Sequence, residues 1–135
     1  MLDINSNKKQ IFKYLIMSIF FLVLAMIYES FSHGVFSPYM VFAFLIPLLM
    51  GFLIYSIIYC TKINNFFSAF STKIFNSAIL TFTIGSVIKG VLDIYGTTNN
   101  LVYNYFGLGV VLLIISIVIN IKYNIKRKGD IKNEK

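Results

Sequence analysis

Ile74-Phe75-Asn76-Ser77-Ala78-Ile79-Leu80-Thr81-Phe82-Thr83-Ile84-Gly85-Ser86-Val87-Ile88-Lys89-Gly90-Val91-Leu92-Asp93-Ile94-Tyr95 is the third and most polar of four apolar runs, and counting it makes the number of membrane crossings even. The first run is Ile11 to Tyr28, interrupted by Lys13 near its start. The second is Met40 to Tyr59, with Pro47 and Gly51 inside it, and the fourth runs from about Leu101 to Ile121. Each has roughly the 20 residues that a helix needs to cross about 30 Å of hydrocarbon. The runs are continuous rather than alternating, and four strands cannot close a barrel, so strands are not expected. The sequence therefore predicts an all-α, four-helix transmembrane bundle, with helices over about 11–29, 40–60, 74–95 and 101–121. Residues 1–121 form the membrane domain and 122–135 a basic tail.

Composition supports a bilayer as solvent. The chain has 135 residues, 58% hydrophobic and 13% charged. A soluble domain is about 45–50% apolar and about 25% charged, and one of this length could not bury so much apolar surface. The net charge of +7 does not point to nucleic acid, because the basic residues flank apolar runs instead of forming one soluble face. A single cysteine, Cys60, excludes an intrachain disulfide and paired-cysteine redox chemistry. A single histidine, His33, excludes a multi-histidine metal or haem site within one chain. No phosphate-binding glycine loop and no GxSxG elbow is present.

Charge sets the expected orientation. Lys8, Lys9 and Lys13 precede or open the first run, Lys62 and Lys73 lie between the second and third, and Lys122, Lys126, Arg127, Lys128, Lys132 and Lys135 follow the fourth. These are eleven of the twelve basic residues, and the two remaining loops hold none. The positive-inside rule then places both termini in the cytoplasm. Tyr28, Tyr39, Tyr95, Tyr103 and Tyr105 are expected at the outer headgroup level, and Tyr14, Tyr55, Tyr59 and Tyr123 at the inner one. The first run is expected to be retained, since Tyr-Glu-Ser-Phe-Ser-His-Gly offers no small-residue cleavage site.

Ile63, Phe66, Phe67 and Phe70 recur at helical spacing, which fits either a short interfacial helix over 61–73 or simple extension of the flanking helices. The tail is expected to be polar and mobile, and attracted to anionic lipid headgroups by about 1 kcal/mol per basic residue near the surface.

The third run carries the strongest candidate for a site. Ser77, Thr81, Gly85, Lys89 and Asp93 form an i+4 row, widened by Ser86 and Gly90. Small and polar residues of this kind mark a helix-packing stripe or the lining of a polar path. Lys89 lies short of the outer boundary, and Asp93 lies at a helix C-terminus, where the dipole disfavours an anion. The two can neutralise each other as an i,i+4 ion pair. An ionisable residue in a membrane span is also a functional candidate. Glu29 and His33 close the first helix on the same side, so Glu29, His33, Lys89 and Asp93 are the expected outer ligand or ion-pair cluster. Lys89 competes for the carboxylates, so no metal site and no cofactor is expected; a histidine beside carboxylates could instead relay protons.

Ile11-Phe12 opens the first run as Ile74-Phe75 opens the third, and Glu29 and Asp93 end them, a pattern that either an internal duplication or chance explains. The stretch Tyr28-Glu29-Ser30-Phe31-Ser32-His33-Gly34-Val35, with Met40 and Pro47-Leu48, resembles a family of small four-helix bacterial integral membrane proteins. So does Gly85-Ser86 through Gly90 to Asp93-Ile94-Tyr95-Gly96-Thr97-Thr98. The resemblance extends over all four runs and implies a fold but no activity. Small multidrug transporters also have four helices in about this length, with an essential glutamate mid-membrane in the first; Glu29 lies instead at the outer edge.

Short loops leave no room for a soluble catalytic domain, and no catalytic residue is assigned. The expected function is a non-enzymatic binding, sensing or transport-accessory component of the cell membrane. The alternatives are a small homo-oligomeric transporter and a bacteriocin or toxin immunity protein. Expected partners are membrane lipids, another copy of the chain or another membrane protein, and no nucleic acid.

Overall fold

The computed structural model describes residues 4–32, 34–61 and 67–133, with side chains between residues 6 and 127. The described elements are all helical. They group into α1 (Ile4–Phe31), α2 (Pro38–Cys60), α3 (Ala69–Ile94) and α4 (Val102–Asn133). All four are long and apolar enough to cross a membrane.

Neighbouring helices run antiparallel, as side-chain meetings between them require. Gly51, late in α2, lies against the Tyr14 ring, early in α1. Met40 at the start of α2 meets Gly90 near the end of α3, and Ser71 near the start of α3 pairs with Ser116 deep in α4. The bundle therefore has a hairpin end, holding the α1–α2 and α3–α4 turns, and an opposite end, where α1 begins and α4 stops. Backbones pack in chain order, α1 on α2, α2 on α3 and α3 on α4. α1 and α3 meet through longer side chains, among them Tyr14 and Gln10 at Asn76.

α2 is irregular for an identifiable reason. Pro38 suits its first turn, where a missing N–H costs nothing. Pro47 falls inside the helix and removes a donor, and around it the backbone passes through a 3₁₀ turn at Phe42–Phe44 and π-turns over Pro47–Leu53. Freed carbonyls in a span must find other donors. Ser18 of α1 supplies one, its hydroxyl donating to the Phe44 carbonyl at 3.1 Å.

The core is aromatic and lies toward the terminal end. Tyr14, Tyr55, Phe75 and Ile79 are buried together. The Tyr14 and Tyr55 rings stack at 5.7 Å, and Phe67 stacks on Phe75 at 5.5 Å. Tyr14 and Tyr55 are each 1% exposed, so their rings face the bundle interior. Their hydroxyls have an acceptor inside, the Asn76 amide.

Outside this core, α1 presents Ile16, Phe20, Val23 and Ile27 outward, and α4 presents Leu108, Val111, Ile114 and Val118. Apolar faces this large suit lipid rather than water. α3 is the most enclosed helix: 33% of its apolar window is buried, against 17% for α1 and for α4. Two boundaries differ from the sequence reading. α4 continues through Asn133, so residues 122–133 extend the helix where a mobile tail was expected. Lys, Arg and Ile are adequate helix formers, and no proline interrupts them. Within 61–73, helix begins at Ala69 and Phe67 joins the aromatic core, while Ile63 and Phe66 lie outside the described residues.

Candidate functional site

Near the hairpin end, the start of α2 sits on the second half of α3. Ser37 is the N-cap residue of α2, with an extended backbone at φ −116° and ψ 116°. Its hydroxyl makes no bond to its own helix and reaches across to Asp93 Oδ2 at 3.3 Å. The Ser86 hydroxyl donates to the Tyr39 carbonyl at 2.7 Å. Gly90 allows the approach: a Cβ there would stand 2.7 Å from the Met40 backbone nitrogen. Met40 and Ser37 are fully buried in this contact.

Lys89 and Asp93 are on the α3 face that this contact frames. The Lys89 ammonium pairs with Asp93 Oδ1 one turn along the same helix. It also lies 5.4 Å from the centroid of the Tyr39 ring, within cation–π range. Asp93 still occupies the C-terminal turn of its own helix. The N-terminus of α2 now lies beside it, and the positive end of that helix offsets the unfavourable one. The side chains of Lys89 and Asp93 are 14% and 26% exposed, so the pair is sheltered yet open on one side. The ammonium has three donors and the carboxylate can accept more bonds than it receives, so both can engage a polar ligand from the open side.

Glu29 is not part of this pair. Among the described residues Lys89–Asp93 is the one salt bridge, and Glu29 Oε1 is buried without a hydrogen-bond partner. The two helices that carry Glu29 and Asp93 meet at this end through Tyr28 and Tyr95, which share a groove with Phe31 and Ser32. His33 lies outside the described residues. Among those described, no three His, Cys, Asp or Glu side chains converge on one point.

The i+4 row does not stay on one face. Gly85, Ser86 and Gly90 are buried, and Gly85 packs against Tyr105 of α4. Ser77 is exposed and its hydroxyl returns to its own helix at the Lys73 carbonyl, 3.1 Å away. Thr81 does the same toward Ser77, at 2.8 Å. Each i+4 step turns about 40° around the axis, so a row that packs at Gly85 has left the seam by Ser77. The residues that fill the seam at that level are Ser71, Phe75, Ala78 and Ile79.

Sequence reasoning missed the two groups that complete the site, Ser37 and Tyr39. The signal was the Ser37-Pro38 pair, an N-cap residue followed by proline at the first helical position. It starts α2 earlier than its apolar run and brings the positive helix end to Asp93.

A second polar assembly, also missed, lies in the other half of the bundle. Tyr14 Oη donates to Asn76 Oδ1 at 2.5 Å, and Tyr55 Oη to the same oxygen at 3.2 Å. Asn76 Nδ2 donates to Gln10 Oε1 at 3.2 Å. One amide thus ties α1, α2 and α3 together.

Four apolar helices of spanning length, held by interhelical polar contacts, fit a small multi-pass membrane protein. Comparisons with protein-family models, with curated proteins and with solved structures find no match to this chain.

Proposed function

We propose that this protein is a multi-pass component of the cell membrane with both termini in the cytoplasm and a polar binding site that faces outward at Lys89 and Asp93. Its role is non-enzymatic: binding, sensing or assisting transport. The observation that supports this best is the ion pair framed by Ser37 and Tyr39. Its two charges are sheltered in the hairpin half of the bundle, and one side stays open. An ionisable pair enclosed completely would lose the hydration of both charges and have no donor or acceptor to spare. One left open retains donors and acceptors for a zwitterionic or polar ligand.

The charge distribution supports the orientation, since Lys89 is the one basic residue outside the flanks at the terminal end. The test is complementation of a deletion strain of the host. Lys89→Met with Asp93→Asn keeps the shape and removes both charges. The proposal expects this double variant to insert and to melt near the wild-type temperature, yet to fail to complement. Full complementation by a stable double variant would overturn it.

A further inference from the structure

We propose that the groove between α1 and α3 at the terminal half of the bundle binds the phosphate headgroup of an anionic glycerophospholipid, with Lys13 and Lys73 as the phosphate-binding cations. The groove exists because the backbones of α1 and α3 do not touch. It has a volume of about 190 Å³ and is lined by Lys13, Tyr14, Met17, Asn76, Ser77 and Leu80.

Its polarity is graded along the helices. Lys13 and Met17 share one face of α1, an i,i+4 pair, and Ser77 and Leu80 follow each other along α3. Both helices run in the same direction, so Met17 and Leu80 lie about one turn deeper in the span than Lys13 and Ser77. Leu80 is 44% exposed and leads to Ile84, also exposed, along a path that suits an acyl chain. Lys73 is exposed and lies one turn shallower than Ser77 on α3, four residues before it in the helix.

The polar rim is made of donors. Asn76 Oδ1 is already used by Tyr14 and Tyr55, and Nδ2 by Gln10, which leaves that amide one free N–H. Lys13 folds along the wall, its Nζ 5.8 Å from the Tyr14 ring centroid. Neither Lys13 nor Lys73 has a carboxylate within salt-bridge reach among the described residues. The Lys13 ammonium and the Asn76 N–H line the groove above an apolar floor, and Lys73 stands one turn shallower on α3, an arrangement that matches a phosphate ester whose tails continue into lipid. This site is separate from any attraction of lipid to Lys122, Lys126 and Arg127, which lie on α4 and not on the two helices that form the groove.

The experiment uses the full chain in neutral detergent, titrated with phosphatidylglycerol, with phosphatidylcholine of the same acyl chains, or with glycerol 3-phosphate. Retained lipid is counted by native mass spectrometry, and thermal stability is measured in parallel. The expected result is a phosphatidylglycerol adduct and a raised melting temperature, with neither produced by phosphatidylcholine. Lys13→Gln and Lys73→Gln each weaken retention by about fivefold, the factor for one basic contact near a membrane surface. Ser77→Leu, which fills the groove from an exposed position, abolishes retention without lowering the melting temperature of the lipid-free protein. A Lys122→Gln/Lys126→Gln/Arg127→Gln variant retains the lipid. Equal retention of phosphatidylcholine, undiminished retention by Lys13→Gln/Lys73→Gln, or loss only in the α4 variant would overturn the proposal. Stabilisation by glycerol 3-phosphate as strong as that by the lipid would assign the groove to a soluble phosphate ester and overturn the lipid reading.

Discussion

The Ser86 hydroxyl donates a 2.7 Å hydrogen bond to the Tyr39 carbonyl, and one turn further along α3 the Gly90 backbone rests on Met40. These adjacent contacts fix the start of α2 on α3 and so set the frame around Lys89 and Asp93.

The two contacts should differ in weight. Ser86→Ala removes a hydrogen bond, a loss of about 0.6 kcal/mol on average between membrane helices. Gly90→Ala drives a Cβ into the Met40 backbone, which cannot swing aside as a side chain tip would. Overpacking of this kind costs about 1–3 kcal/mol. Thermal unfolding in detergent should therefore show a larger loss for Gly90→Ala than for Ser86→Ala. The reverse order would mean that the helices do not approach as closely as described.

Lys89 and Asp93 should behave as a coupled pair. Lys89→Met leaves the Asp93 carboxylate beside Ser37 without its cation, and Asp93→Asn leaves the ammonium without its anion. Each single change should lower the melting temperature, and the double change should recover much of the loss. A double variant as damaging as the two single variants added together would show that the charges do not stabilise each other.

Asn76 should be the most sensitive polar residue in the terminal half. Asn76→Leu strands the buried hydroxyls of Tyr14 and Tyr55 together, each at a cost of about 1–3 kcal/mol. Tyr14→Phe removes one donor cleanly and should cost less. In the Asn76→Leu background, Tyr14→Phe should be neutral or stabilising, because it deletes a group with no acceptor. Additive losses in the double variant would contradict the shared-acceptor geometry.

How far these features could be read from the sequence depends on the range of the signal. The four spans follow from composition over some 20 residues, a property that local detail cannot overturn. Their ends were less legible. Nothing in Lys122–Arg127 marks a helix stop, and charge alone suggested a tail where α4 continues. The ion pair is an i,i+4 relation on one helix, so helical spacing alone brought Lys89 to Asp93. Its surroundings depend on which helix lies next to α3. Ser37 and Tyr39 of α2 take the place that Glu29 of α1 was expected to fill, because α2 separates the backbones of α1 and α3. Tyr14 and Tyr55 read as interface residues because tyrosine favours headgroups in general. Only the meeting of three helices at Asn76 turns their rings into the bundle.

The most direct test of this account is the sidedness of the hairpin end. In a Cys60→Ser background, single cysteines at Asn99, in the α3–α4 turn, and at Lys126, on the far part of α4, are labelled in intact cells with a membrane-impermeant maleimide. The account predicts labelling of Asn99→Cys from outside, and of Lys126→Cys only after the membrane is opened. External labelling of Lys126→Cys with protection of Asn99→Cys would put the Lys89–Asp93 site on the cytoplasmic side and contradict the proposed outward-facing function.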